Sequence, residues 1–433
     1  MNEGTRVDRL GPTAPSKSFD RLAMFTFVAL GLPDGMIGTA WPTLRHSFGA
    51  PLADLGVFLL VGTMGALVSS SVAGLLMARF GYRATIMLGG VAGALGATGI
   101  VLSPAFWAFV ISGTAIGAAA GLLDSSVNTS TVLAGRTRLL NFLHGCYGVG
   151  TSLGPLIATA ALLVGSWRAS YGAVIAVELV LVAAWWLLGR RPFVLAAAPG
   201  TTGPADAPAP AAPALAPPPS GTTVPTSGTA TPIPAPAHPG RLRLVGVVGL
   251  GLVVFMVYVG LEVGAGQWEP SFDRGPMHLS ASATGLSTFG YWGALTLVRF
   301  ALAAPRRPVR PESVVRWGCA VALVAAGVVW WRPTDPVALV ALVFMGGALA
   351  GVFPALVVLT PARVGEDIAH HVIGWQIGAA GLGGSAISAV FGVIFQHYGL
   401  RDFGPALVIV GVVLMAGVLF LERVGTRPSP RVA

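Results

Sequence analysis

Leu22-Ala-Met-Phe-Thr-Phe-Val-Ala-Leu-Gly-Leu-Pro-Asp34-Gly-Met-Ile-Gly-Thr-Ala-Trp-Pro-Thr-Leu-Arg45 is an apolar run with one carboxylate in its middle. It holds about 22 residues, enough for a helix to cross a bilayer. At about 1.5 Å per residue, Asp34 lies about 20 Å from Arg21, near the membrane midplane. A carboxylate there costs roughly 3 kcal/mol, so it is expected to face a cavity or a partner. Gly31, Gly35 and Gly38 flank it and admit a second helix or a ligand. Pro33 and the glycines weaken the helix locally and free backbone groups beside the carboxylate. The plainer alternative is an Asp that only bonds a neighbouring helix. Intramembrane acids default to function, which sets the preference.

Outward from this run the composition agrees. Of 433 residues, 54% are hydrophobic and 10% charged, and the mean hydropathy is +0.76. A soluble chain carries about 25% charge, so this is a polytopic helical membrane protein. The short alternating segments of a membrane barrel are absent. The net charge of +9 does not indicate nucleic acid, because the basic residues sit at segment ends. Cys146 and Cys319 fall inside apolar segments, with no metal or disulfide spacing. The first apolar run lacks a small-residue cleavage site and reads as a first span.

Twelve apolar segments follow, at 22–45, 52–78, 84–103, 105–132, 141–166, 169–189, 244–268, 283–304, 313–331, 336–359, 370–396 and 403–421. Fourteen prolines among Ala, Thr, Gly and Ser occupy Pro192–Pro239, an expected disordered linker. The expected organisation is a tail (1–21), a six-helix bundle (22–189), the linker (190–243), a second bundle (244–421) and a tail (422–433). With the N-terminus inside, 20 of the 26 Lys and Arg residues fall on that side and 5 on the other, with Arg299 left within a span. Both termini and the linker are therefore expected to be cytoplasmic, in the cell's inner membrane. Trp41, Trp107, Trp167, Trp268, Trp330 and Trp331 lie toward outer span ends and read mostly as interface anchors.

The halves echo each other. Asp34 precedes Trp41 and Pro42 as Glu262 precedes Trp268 and Pro270, and both acids follow a Gly-Leu. Ala120-Gly-Leu-Leu-Asp124 in the fourth span parallels Ala350-Gly-Val-Phe-Pro354 in the tenth. Same-orientation six-span repeats place a substrate site between the halves.

Gly74-Leu-Leu-Met-Ala-Arg-Phe-Gly-Tyr-Arg83 closes the second span. It resembles the loop signature of the major facilitator superfamily, with Ala78 where the family has Asp and with Arg79, Gly81 and Arg83 retained. The resemblance implies that this loop latches the halves on the cytoplasmic side, with Arg299 as its degenerate second copy. Simple positive-inside anchoring is the alternative for these arginines. Leu123-Asp-Ser-Ser-Val-Asn128, Asn141-Phe-Leu-His-Gly-Cys-Tyr-Gly148, Gly154-Pro155, Val352-Phe-Pro-Ala355 and Ile373-Gly-Trp-Gln376 look like the fucose permease branch. That branch implies proton and sugar handling by a first-span and a fourth-span acid, the places of Asp34 and Asp124. Gly150-Thr-Ser-Leu-Gly-Pro155 matches the front of a drug–proton antiporter motif whose trailing glycines are replaced by Ala158 and Thr159.

The residues support this independently. Asp124 lies about 18 Å along its helix from Arg136, near midplane, with Asn128 one turn on. A low-dielectric cavity favours the neutral carboxyl, so either acid can carry a proton. Asn128, Asn141, His144 and Gln376 can hydrogen-bond a polar cargo. Asn141 and His144 serve equally well as structural groups. Glu262, about 28 Å from Arg243, either lines the outer entrance or bonds a neighbouring helix. Gln267, Trp268, Tyr291 and Trp292 can form an aromatic and amide wall. Glu178 has no marked context and is assigned a structural role.

The expected fold is all-α, with twelve transmembrane helices in two pseudo-symmetric six-helix bundles, the major facilitator fold. The expected function is proton-coupled secondary transport of a small polar solute, such as a sugar, by alternating access. Partners are protons, the cargo and the bilayer, with no nucleic acid and a monomeric working state. No cofactor or metal is called for, and no enzyme motif appears. Proton-driven efflux of drugs or metabolites is the second reading. A non-transporting receptor is the third, and the two carboxylates count against it.

Overall fold

A computed structural model describes residues 17–133, 136–189, 241–303 and 309–425. The Pro192–Pro239 linker and both tail ends lie outside the described residues, as does the side chain of Asn141. All the regular secondary structure of the described residues is helical. The N-terminal half holds α1 (Lys17–Phe48), α2 (Asp54–Leu102), α3 (Phe106–Leu133), α4 (Thr137–Leu163) and α5 (Trp167–Leu188). The C-terminal half holds α6 (Arg241–Arg274), α7 (Ala281–Ala303), α8 (Pro311–Trp331), α9 (Asp335–Leu349), α10 (Val352–Val364), α11 (Glu366–Tyr398) and α12 (Phe403–Gly425).

Ten of these segments are long and apolar enough to cross a membrane. α2 counts twice. Its 49 residues are too long for one crossing, and they reverse at Gly81, whose φ of 79° and ψ of 158° suit glycine alone. α9 and α10 form one crossing, broken at Ala350-Gly351. With α7, 23 residues long, twelve passes result, and they fall into two six-helix bundles as the apolar pattern indicates.

Close approach within the N-terminal bundle depends on glycine. A Cβ on Gly31 or Gly35 would strike the carbonyls of Tyr147 or Thr151. Reciprocally, a Cβ on Gly150 would strike the Val28 carbonyl, and one on Gly154 would lie 2.7 Å from the Leu32 oxygen. α1 and α4 thus meet backbone to backbone through two Gly-xxx-Gly pairs, where dispersion replaces the hydrophobic effect as the attraction.

Three of the tryptophans expected at the interface are instead core residues. Trp41, Trp167 and Trp268 are buried because each indole N–H finds an acceptor: Leu52 O at 3.2 Å, Ser47 Oγ at 3.0 Å and Ser388 O at 2.9 Å. Trp107, Trp330 and Trp331 stand exposed at helix ends.

The bundles meet unevenly. On the face away from the chain termini, the Leu52 amide donates to Gln396 Oε1 at 2.6 Å, Gly56 packs on Ala389, Gly392 on Ala53, and Gly285 on Thr159. Toward the terminal face, α4 and α7 stay together through Phe142 and Phe300, 5.3 Å apart. α2 and α11 do not. Val68 and Leu75 on α2, and Trp375 and Ile377 on α11, are exposed, and a Cβ on Gly374, Gly378 or Gly381 would meet nothing within 4 Å. The halves are sealed at the far face and parted at the terminal face.

Candidate functional site

The close α1–α4 contact has a direct chemical result. It brings the Tyr147 hydroxyl to Asp34, donating to Oδ2 at 2.5 Å. Gly35 and Gly31 bracket the acid, so the tyrosine approaches without a blocking side chain. Gly38 does the same for α6. Gln267 packs on it and donates from Nε2 to the Asp34 carbonyl at 2.8 Å across the bundle boundary. The Asp34 side chain remains exposed within the protein's interior spaces. One carboxylate therefore touches α4 through its side chain while its backbone is held by α6.

Opposite it lies the second charged feature. Arg299 on α7 pairs with Glu262 on α6 at 3.0 Å, with its second contact to that carboxylate at 3.3 Å. Tyr258 is hydrogen-bonded to the same carboxylate, and its hydroxyl also lies 2.9 Å from the Leu349 carbonyl. Tyr291 donates to the Glu262 backbone carbonyl at 2.8 Å. Leu349 and Ala350 mark the α9–α10 break, where the helix leaves carbonyls without internal partners. Tyr258 takes the first and Arg299 Nε approaches the second at 3.4 Å. Both Arg299 and Glu262 lie within electrostatic reach of Tyr147, and Arg299 also of His144. The two features thus form one polar belt from Asp34 to the broken tenth span.

Other expected residues are placed as follows. Asn128 donates to Asp124 Oδ1 at 3.0 Å, one turn apart as the spacing indicates, and its own Oδ1 has no partner among the described residues. No described hydrogen bond or ion pair joins Asp124 to Asp34. His144 is exposed, with its ring edge on Phe27 at 5.7 Å. Gln267, Trp268, Tyr291, Trp292 and Gln376 are buried in this state. Gln376 accepts from Thr360 at 3.0 Å, and Trp292 packs edge-on against Tyr291 at 5.2 Å. These five side chains form packing and bundle contacts here, not an open wall. In the expected gating loop, Arg83 donates to the Trp185 and Trp186 carbonyls at 2.9 and 2.5 Å, capping the end of α5 in its own bundle. Arg79 lies over the Phe80 ring. Arg299 lies apart from that loop, in the ion pair with Glu262.

Sequence reasoning did not single out Tyr147 or Tyr258, since tyrosine in an apolar span is usually packing. The Glu262–Arg299 pair carried a usable signal. Each is a lone charge within a span of the same half, and intramembrane charges pair. Glu269 and Asp273 also went unmarked. Both are fully buried one turn apart on α6, and Ser287 donates to Glu269 at 2.6 Å. Neither Asp273 oxygen has a hydrogen-bond partner among the described residues.

Across residues 23–388 the sequence matches the Major Facilitator Superfamily. An uncharacterised MFS-type transporter of Yersinia pestis is 31% identical over 153 residues, covering 34% of this chain and 38% of that protein. Membrane protein MosC of Rhizobium meliloti is 30% identical over 146 residues, covering 33% of this chain and 36% of that protein. The matched segments therefore span well under half of these relatives' own length. Among solved structures the fold is similar to a D-xylose–proton symporter, with TM-score 0.69 at 13% identity, covering 94% of this chain and 98% of that one. It is also similar to a bacterial homologue of the human lysosomal transporter Spinster in an inward-facing, unoccupied conformation. There the TM-score is 0.64 at 14% identity, covering 95% of this chain and 98% of that one. At such identities the likeness is one of fold.

Proposed function

The chain belongs to the major facilitator superfamily, and from that premise we propose that it is a proton-coupled secondary transporter of a small polar solute. Membrane transport by alternating access follows from the fold; the proton, the cargo class and the orientation are the proposal. The carrying observation is Asp34. It is an accessible carboxylate inside a membrane span, bonded by Tyr147 through its side chain and by Gln267 through its backbone. Protonation removes the charge that Tyr147 hydrogen-bonds and so alters the α1–α4 contact. The same residue's carbonyl holds α6, so the change acts at the boundary along which the bundles must rock.

Asp124 and Asn128 serve as a cargo-contact and proton-sensing pair: Asn128 Oδ1 is buried here without a partner among the described residues, and it becomes an acceptor for a hydroxylated solute once the helices around it part. This pair also carries the narrower resemblance to the fucose permease branch, and with it the preference for a sugar. Both termini and the linker are placed in the cytoplasm of the inner membrane, by the charge asymmetry. The parted face then opens inward. The competing export reading rests on Gly150 and Gly154, and close packing of α4 on α1 already accounts for those glycines.

The test is flux in proteoliposomes under an imposed pH gradient, with cargo found by screening. Asp34→Asn is expected to abolish accumulation against a gradient while leaving counterflow partly intact. Asp124→Asn is expected to weaken cargo binding as well. Accumulation by Asp34→Asn equal to that of the unmodified protein would refute proton coupling through this residue.

A further inference from the structure

Inside the N-terminal bundle lies a cavity of about 190 Å³. Every lining residue belongs to that bundle. Most of its wall is Gly, Ala and aliphatic, drawn from α1, both passes of α2, α3 and α5. Its titratable lining groups are Asp34, Tyr171 and Glu178; α2 and α3 contribute none. Glu178 sits on α5, is 4% exposed, and its Oε2 has no hydrogen-bond partner among the described residues.

The packing is built around that carboxyl. Gly90 and Gly93 on the second pass of α2 face it. A Cβ on Gly93 would lie 3.0 Å from the Glu178 Cδ, and one on Gly90 would lie 3.5 Å from Oε2. Any larger residue at 93 would press on the acid. A buried carboxyl without a partner is costly, and a polar-ended cavity of this size has room for several waters, at roughly 10–15 Å³ each.

We propose that Glu178 is a second proton-binding group, joined to Asp34 by water in this cavity. The proposal rests on the reading of Asp34 as the coupling acid and gives that acid a proton partner away from the cargo. In the transfer, the O–H bond of Glu178 breaks and its proton passes to a neighbouring water. That water passes one of its own protons along to the Asp34 carboxylate. Glu178 is left ionised and Asp34 neutral, with no other bond changed. Tyr147, on the α4 side, holds Asp34 toward the bundle boundary, so the relay feeds the group that the two halves share. Thr63 and Tyr171 are the hydroxyl-bearing lining residues that can steady the water.

The experiment is an infrared titration of carboxyl C=O bands in protein reconstituted into nanodiscs, with no cargo present. Glu178→Gln assigns the Glu178 band; if that variant does not fold, Glu178→Asp assigns it by its shifted frequency. The expected result is a Glu178 band that titrates and whose midpoint moves by about one pH unit in Asp34→Asn, as interacting acids require. Gly93→Ala, which crowds the carboxyl, is expected to move the same band. A Glu178 band that never titrates, or whose midpoint is identical in Asp34→Asn, overturns the proposal. Failure of the coupling reading looks different: unmodified proteoliposomes then show no proton-driven flux, while the two acids still titrate together.

Discussion

Glu262→Gln tests the polar belt in the C-terminal bundle. The Arg299 and Glu262 side chains are 20% and 9% exposed, so the pair is largely screened from water. Removing the carboxylate charge leaves the guanidinium with a neutral amide and the Ala350 carbonyl, 3.4 Å away. Breaking a buried pair on one side costs about 3 kcal/mol. Neutralising both members, as in Glu262→Gln with Arg299→Gln, is expected to restore stability to within about 1 kcal/mol. The protein carries its own reporters. Cys146 on α4 and Cys319 on α8 are its only cysteines, both are buried thiols, and each bundle holds one. Gly318, beside Cys319, packs on the Ala348 carbonyl and Val352 at the α9–α10 break that Arg299 and Tyr258 hold. Local opening of that break therefore exposes Cys319. A loss of about 3 kcal/mol speeds its labelling by a thiol-reactive dye roughly 100-fold if opening is in equilibrium. Cys146 labelling is expected to change little. Measured in Cys146→Ala and Cys319→Ala backgrounds, the two rates separate. Equal acceleration at both cysteines, or a double variant no better than the single, would refute the argument.

Further outcomes follow from the same geometry. Tyr147→Phe removes a hydrogen bond to a carboxylate, so a loss of about 1.5–3 kcal/mol is expected while Asp34 is ionised and less when it is protonated; thermal melts at two pH values measure the difference. Gly35→Ala forces α1 from the Thr151 carbonyl, and crosslinking between cysteines placed at the terminal ends of α1 and α4 should fall. Asp273→Asn removes the titratable group from one member of a fully buried acid pair and is expected to raise the melting temperature most at alkaline pH, where both acids would otherwise be driven to ionise; an unchanged or lower one there would refute this. Single cysteines in the Pro192–Pro239 linker should resist impermeant reagents in intact cells, and labelling there would reverse the proposed orientation.

Sequence alone determined the membrane class and the all-helical fold of two six-pass halves, and it marked Asp34 as a candidate. Those conclusions rest on summed, local quantities: run length, charge density, and the cost of a carboxylate in hydrocarbon. The Gly31, Gly35 and Gly38 spacing even indicated that something must come close. It did not say that Gly31 and Gly35 admit Tyr147 and Thr151 on α4, or that Gly38 admits Gln267 on α6. A glycine advertises room, and the fold chooses the occupant. Tryptophans misled for a related reason. Position along a span gives depth, whereas burial depends on whether an acceptor such as Leu52 O or Ser388 O waits across a helix boundary. Arg299, within a span, was grouped with the gating loop by resemblance, and only the packing of α6 and α7 brought it to Glu262. Glu178 had no neighbours of note in the chain, because its surroundings, Gly90, Gly93 and Asp34, come from other helices. Periodicity and composition act along one helix, while the pairing of charges, the seating of hydroxyls and the enclosure of a cavity are set between helices that the sequence separates by up to hundreds of residues.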